Sequence, residues 1–112
     1  MPKRSELTLT TVLAAVGGTN IGTAVPANHR RYVYSIKTEN QFAGPNDLTL
    51  SVGAVNLDVI SHLALGDMRE DPEVLLENSL PIYIIEAAGQ LVGTTSAAGN
   101  CFVRILFVDS QD

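Results

Sequence analysis

The side chains best suited to nucleophilic, acid–base or metal chemistry are few: one cysteine (Cys101), two histidines (His29 and His62) and twelve carboxylates. A reactive thiolate needs an accessible, electropositive setting. Cys101 instead begins an alternating run, NCFVRILFVD, whose Cys101 side also carries Val103, Ile105 and Phe107, so a buried core thiol is expected. Asp58 and His62 are four apart, with Asp67, Glu70 and Asp71 following. On a strand that spacing leaves the first two on one face but about two pleats apart, too far to share a small ion. Two histidines are a poor ligand set for zinc, and DMRED lacks the regular Asp/Asn spacing of a calcium loop, so the expectation is a solvated acidic turn. Glu86 and Asp109 are expected to end neighbouring strands, as the carboxylate pair of a glycoside hydrolase would. Three Tyr, three Phe and no Trp leave little to line a sugar cleft. Gly17-Gly18 is not followed by the Lys-Ser/Thr of a phosphate loop, and Gly93–Gly99 (GTTSAAG) reads as a hairpin tip. Tyr32 and Tyr34 beside Arg30 and Arg31 have the residue types of a base-stacking patch, but half-buried strand tyrosines are the simpler reading. No catalytic residue, metal or cofactor is expected.

The elements that would carry these residues are strands. Leu7 and Leu9 alternate with Thr8 and Thr10, Gly17-Gly18 turns the chain, and Asn20–Val25 predicts a second short strand stopped by Pro26. Arg31–Glu39 alternates clearly, with Tyr32, Tyr34 and Ile36 on one side. After the breaker-rich loop NQFAGPN, Leu48, Leu50 and Val52 align, with Gly53 read as a bulge or close approach. Asn56–Leu65 fits a strand better than a helix in this company. Gly66–Asp71 reads as an acidic turn, and Asp71-Pro72-Glu73 as the possible start of one helical turn. Leu80–Glu86, Gln90–Thr95 and Asn100–Asp109 complete seven or eight short strands, spaced by turn signals. The expectation is an all-β fold, an antiparallel β-sandwich of jelly-roll-like type with at most one helical turn.

The 112 residues make one domain over 6–109, with a mobile arm at 1–5 and a polar tail at 110–112. The chain is 46% apolar but only 17% charged, where roughly 25% charged is usual, so some surface is expected to be covered by a neighbour. The net charge of −5 is split: Met1–Lys37 carries +4 and Thr38–Asp112 carries −9. Nucleic acid is not the expected partner of so acidic a chain. A single cysteine excludes an intrachain disulfide framework. Lys3 and Arg4 before LTLTTVLAAV imitate a signal peptide, but Glu6 and the threonines spoil it, and no membrane partner is expected.

The second side of the last strand is apolar as well: Phe102, Leu106 and Val108, interrupted by Arg104. Such a row on a small protein calls for cover, either by a second subunit or by part of the same chain. With the basic Arg30, Arg31 and Lys37, expected to meet acidic turns such as Asp67–Asp71, these residues form the expected interface of a homo-oligomer.

The order of features from Leu80 to Asp109, a Pro-led strand LPIYIIEAAGQL, a small-residue hairpin TTSAAG and then CFVRILFVD, resembles small β-sandwich virion proteins of the head-decoration, capsid-accessory and fibre-head type. The resemblance implies a non-catalytic structural protein that assembles with itself and with a capsid or tail lattice protein, located in the virion; without it, a cytoplasmic protein is expected. The alternative is a small-ligand or carbohydrate-binding β-module. An enzyme of cupin type would need more histidines than His29 and His62.

Overall fold

The structure, a computed structural model, describes residues 7–76 and 78–111. The expected arm, 1–5, lies outside the described residues. Nine strands are present among those described: β1 (Thr8–Ala14), β2 (Thr19–Asn20), β3 (Arg30–Asn40), β4 (Asn46–Val52), β5 (Val55–His62), β6 (Met68–Asp71), β7 (Tyr83–Ile85), β8 (Leu91–Thr95) and β9 (Cys101–Ser110). One sheet has the order β1-β9-β3-β6, with β7 also on β3; the other has the order β2-β8-β4-β5. Every strand pair within the sheets is antiparallel. The chain is therefore an all-β antiparallel sandwich, and its smallest dimension of 18 Å fits two sheets packed about 10 Å apart with their outer side chains.

The pairings are nested. The β4–β5 hairpin lies at the centre, β3 pairs with β6 and β7 around it, β2 with β8 around those, and β1 with β9 outermost. The chain thus runs as one long two-stranded ribbon, rolled so that β9 also lies on β3 and β8 on β4. Alternation decides what the roll encloses. Cys101, Val103, Ile105 and Phe107 of β9 point inward with Val33 and Ile36 of β3, against Leu48 and Leu50 of β4 and Leu91 of β8. Gly93 suits the close packing on β8, where a Cβ would stand 3.2 Å from Ala14, Ile21 and Leu48 side chains, so those neighbours would have to give way.

Several elements differ from expectation. Only Thr19–Asn20 of the second strand forms a ladder. Gly22 takes the left-handed conformation (φ 74°), so the segment beyond it runs beside β8 without regular pairing, although Ile21 still donates to Leu91 O and Val25 to Gly89 O. Gly53 (φ 58°) forms the β4–β5 turn; the bulge falls at Leu50/Ser51. The expected acidic turn is partly β6, an edge strand exposed at all four residues, and no helical turn follows Asp71 among the described residues. Leu80–Glu86 shrinks to β7. Strands β6 and β7 lie in line along the same side of β3, pairing with Ile36–Glu39 and Arg31–Val33. Between them the chain makes an excursion over 72–82, opposite the point where β3 shifts register between Val33 and Ser35.

Candidate functional site

The residues with the types for chemistry are placed as follows. His62 is fully buried; its Nδ1 lies 3.2 Å from Asn46 O and its Nε2 2.7 Å from Thr38 Oγ1. The Asn46 carbonyl only accepts, so Nδ1 donates and, in the neutral ring, Nε2 accepts from Thr38: both ring nitrogens are used in holding the fold. Cys101 is buried too, and burial pushes its thiol up to about 11. Glu86 and Asp109 end up on opposite sides of β3, Glu86 paired with Arg30 and Asp109 with Arg31. Asp67 accepts from the Leu63 N–H and from Arg69, which hold its carboxyl below the usual range. Among the described residues no group of three His, Cys, Asp or Glu side chains is placed to hold a metal ion, and no helix is long and apolar enough to cross a membrane.

The two ends of the sandwich are closed by polar networks instead. At one end Asn40 Nδ2 donates to Gly44 O and Ala64 O, while its Oδ1 accepts from Phe42 N and Asn46 Nδ2; Asn46 Oδ1 accepts from Ala97 N. Two asparagines thereby tie the β3–β4, β5–β6 and β8–β9 loops together. At the other end Arg31, 2% exposed, donates from Nε and Nη2 to both oxygens of Asp109 at 2.8 and 2.9 Å, and from Nη1 to Thr23 O. Its guanidinium carbon also sits 4.2 Å from the centre of the Phe107 ring.

Comparison with known proteins finds no matching family model, no matching curated protein and no matching solved structure. The function must therefore be argued from the surface.

On the outer face of the first sheet the register sets cross-strand rows. Leu9 of β1 stands beside Leu106 of β9, and Leu13 beside Phe102. Between them lies the row Thr11, Arg104, Lys37, Glu70, where Arg104 Nη2 donates to Glu70 at 3.0 Å. The β1/β9 half of this face thus carries two apolar rows divided by Thr11 and Arg104, and the β3/β6 half is polar. Leu9 and Leu13 are 56% and 47% exposed, and Phe102 and Leu106 are half-buried. Of the seven residues expected at an interface, Phe102, Arg104, Leu106, Lys37 and Arg30 retain exposed surface, although Arg30 faces Glu86 rather than Asp67–Asp71 and Arg104 faces Glu70 of that stretch within the same chain. Arg31 and Val108 are buried within the chain. Val108 packs with Tyr32 and Tyr34 under Leu7 and Leu75, so the excursion and the start of β1 cover one end of the outer face. Among the described residues the apolar row therefore has full cover from its own chain at Val108 and only partial cover at Leu106 and Phe102.

Leu9 and Leu13 were not expected here. Their alternation with threonine marks a two-sided strand, but only the pairing of β1 with β9 places them beside Leu106 and Phe102. The excursion adds exposed Val74, Leu76 and Leu80, and β5 exposes Val55 and Val59. Where the sheets part between β5 and β7, an apolar groove of ≈ 490 Å³ is lined by Val52, Val55, Leu57, Ile84 and Ile85. The Tyr83 hydroxyl donates to Asp58 Oδ2 at 3.2 Å, joining β7 to β5. Burial, then the Asp58 carboxylate, raises the phenol well above its ordinary value, which keeps it a donor.

Proposed function

We propose that this chain is a non-catalytic structural protein that works by associating with copies of itself, and that the assembly it serves is a virion lattice in which it acts as a capsid-accessory or decoration subunit. The observation that carries the reading is the apolar half-face formed by Leu9, Leu13, Phe102 and Leu106, which no other part of the described chain covers. Exposed apolar rows gathered on one face in this way mark a contact site on a small protein. Nested ribbon pairing gives a second support. With β6 and β7 counted as one interrupted edge strand, the pairs first–last, second–second-last and so inward are those of a jelly roll. That architecture is common in viral capsid domains and also in lectins and cupins, so it supports the virion reading without selecting it. The aromatic count weighs against a lectin, and the buried, fully bonded His62 against a cupin metal site.

Light scattering on a size-exclusion column tests it. The wild-type chain is expected to run above its 11.9 kDa monomer mass at both low and high salt, because apolar contact is not screened. Leu106→Asp is expected to give a folded species of lower mass. A wild-type monomer, or an oligomer that Leu106→Asp leaves unchanged, overturns the assignment.

The apolar groove between β5 and β7 favours a second reading, a small-ligand module. Its lining contributes Glu86 as the only charged side chain, which suits an apolar ligand better than a sugar. A rise in melting temperature with a hydrophobic probe, removed by Leu57→Asp, would favour it.

A further inference from the structure

The sandwich has four sheet edges, and they are not alike. Strand β2 is two residues long. Strand β6 carries Arg69, Glu70 and Asp71, and β7 beside it has three residues. Strand β5 is longer, but its pairing is broken by the bulge at Leu50/Ser51 and it holds Asp58. Charge, shortness and bulges are the means by which proteins prevent an open edge from pairing with another chain. Strand β1 has none of them. Its seven residues, TLTTVLA, carry no charge, no proline and no glycine, and it pairs with β9 through seven successive residues without a register shift. Thr8–Leu13 are exposed or half-buried, and among the described residues the side of β1 away from β9 makes no backbone hydrogen bond between Thr8 and Leu13.

The sequence of β1 also complements itself. We infer that β1 pairs with β1 of a second copy of this chain, antiparallel about a two-fold axis at Thr11, joining the two β1-β9-β3 sheets into one continuous sheet. This rests on the self-association proposed above and names its contact. In that register Thr11 lies opposite the partner's Thr11, Leu9 opposite the partner's Leu13, and Leu13 opposite the partner's Leu9. Because Leu9 already stands beside Leu106 and Leu13 beside Phe102, the two-fold completes two four-residue apolar rows across the junction. One is Leu106, Leu9, the partner's Leu13 and the partner's Phe102; the other is its symmetry mate. Two threonines meet at the centre. The nearest like charges, Arg104 and the partner's Arg104, stand three strand spacings apart, about 14 Å, beyond the Debye length of about 8 Å at physiological salt, and each already faces a Glu70. A one-residue shift of register would put Leu13 opposite Thr8 or Thr10 and Leu9 opposite Val12 or Ala14, breaking both leucine pairs and turning the rows to opposite faces, so the side-chain pattern favours this alignment.

The test is disulfide trapping in the intact chain. Cys101 is buried, so Thr11→Cys supplies the accessible thiol. Mild oxidation is expected to convert Thr11→Cys to a covalent dimer whose mass in solution equals that of the unoxidised protein, or of its dimeric building block, while Val59→Cys on the β5 edge stays unlinked. A second pair of variants reads the register without a disulfide. Leu9→Lys and Leu13→Glu are each expected to lose assembly, and their mixture to regain it, because the heterodimer holds one Lys–Glu row and one intact Leu–Leu row. An oligomer of wild-type mass in which Thr11→Cys does not link, or in which Val59→Cys links instead, overturns the β1 contact and leaves self-association standing. A wild-type monomer overturns both.

Discussion

Asp109→Ala is the substitution with the largest expected effect on stability. The Arg31 guanidinium is 2% exposed and places two of its donors on Asp109, whose side chain is 22% exposed. Removing the carboxylate leaves a buried cation without its counter-ion, which costs about 3–5 kcal/mol in such sites. Asp109 retains some contact with water, so the lower end, about 3 kcal/mol, is the better figure. At about 2.1 cal/mol/K of unfolding entropy per residue, a chain of this length loses about 4 °C per kcal/mol, so thermal denaturation followed by circular dichroism should show a fall of about 12 °C or more. The double variant Arg31→Met with Asp109→Leu removes both charges together. It still strands the Thr23 carbonyl that accepts from Arg31 Nη1, a loss of about 1–3 kcal/mol, but it recovers the penalty of the unpaired cation. The double is therefore expected to be at least as stable as Asp109→Ala alone, with a coupling energy of about 2 kcal/mol or more. Because the pair is internal, the mass in solution should not change below the melting transition. A fall of under about 4 °C for Asp109→Ala, or additive effects in the double, would refute the view of Arg31–Asp109 as the lock on this end of the sandwich.

Two further outcomes follow from titratable groups. Cys101, buried and raised to about 11, should not react with Ellman's reagent at pH 8 until the chain unfolds; stoichiometric labelling of native protein within minutes would contradict its burial. The depressed Asp67 carboxyl stabilises the fold fully above the ordinary carboxylate value near 4, and this contribution disappears as pH falls through the lower folded value. The stability difference between wild type and Asp67→Asn should accordingly be present at neutral pH and vanish in acid, and a difference independent of pH would refute it.

The sandwich was legible where alternation is long and one-sided. The run from Cys101 to Phe107 showed its buried face in the sequence, and the second apolar face of the same strand, Phe102 and Leu106, announced a surface needing cover. The acidic stretch at β6 was not legible as a strand, because an edge strand exposed at all four residues has no apolar alternation to show. Nor was the end network: NQFAGPN reads as breakers, and nothing local reveals that Asn40 and Asn46 are buried and each satisfy backbone groups of distant loops. Arg31 looked like a surface charge because its partner lies 78 residues away. Its neighbour Arg30, of identical type, does stay at the surface; the pleat decides between them.

The nested ribbon also explains why β1 is the edge left open. Strands near the central hairpin find partners after short loops, and each outer layer closes a longer one. Strand β1 closes the longest loop of all, against β9, and among the described residues no strand pairs with its other side. The opposite margin of that sheet is handled differently: β6 is charged and the chain detours between β6 and β7, so the sheet ends there in side chains that discourage addition. One margin is guarded and the other is flat, uncharged and continuous with the apolar half-face. If the exposed leucines existed only to pack on β9, nothing would require β1 to lack every edge-protecting feature that β5 and β6 possess. The proposed self-association would account for both properties with one contact: the backbone of β1 would offer the ladder, and Leu9 and Leu13 would supply the apolar rows that fix its register.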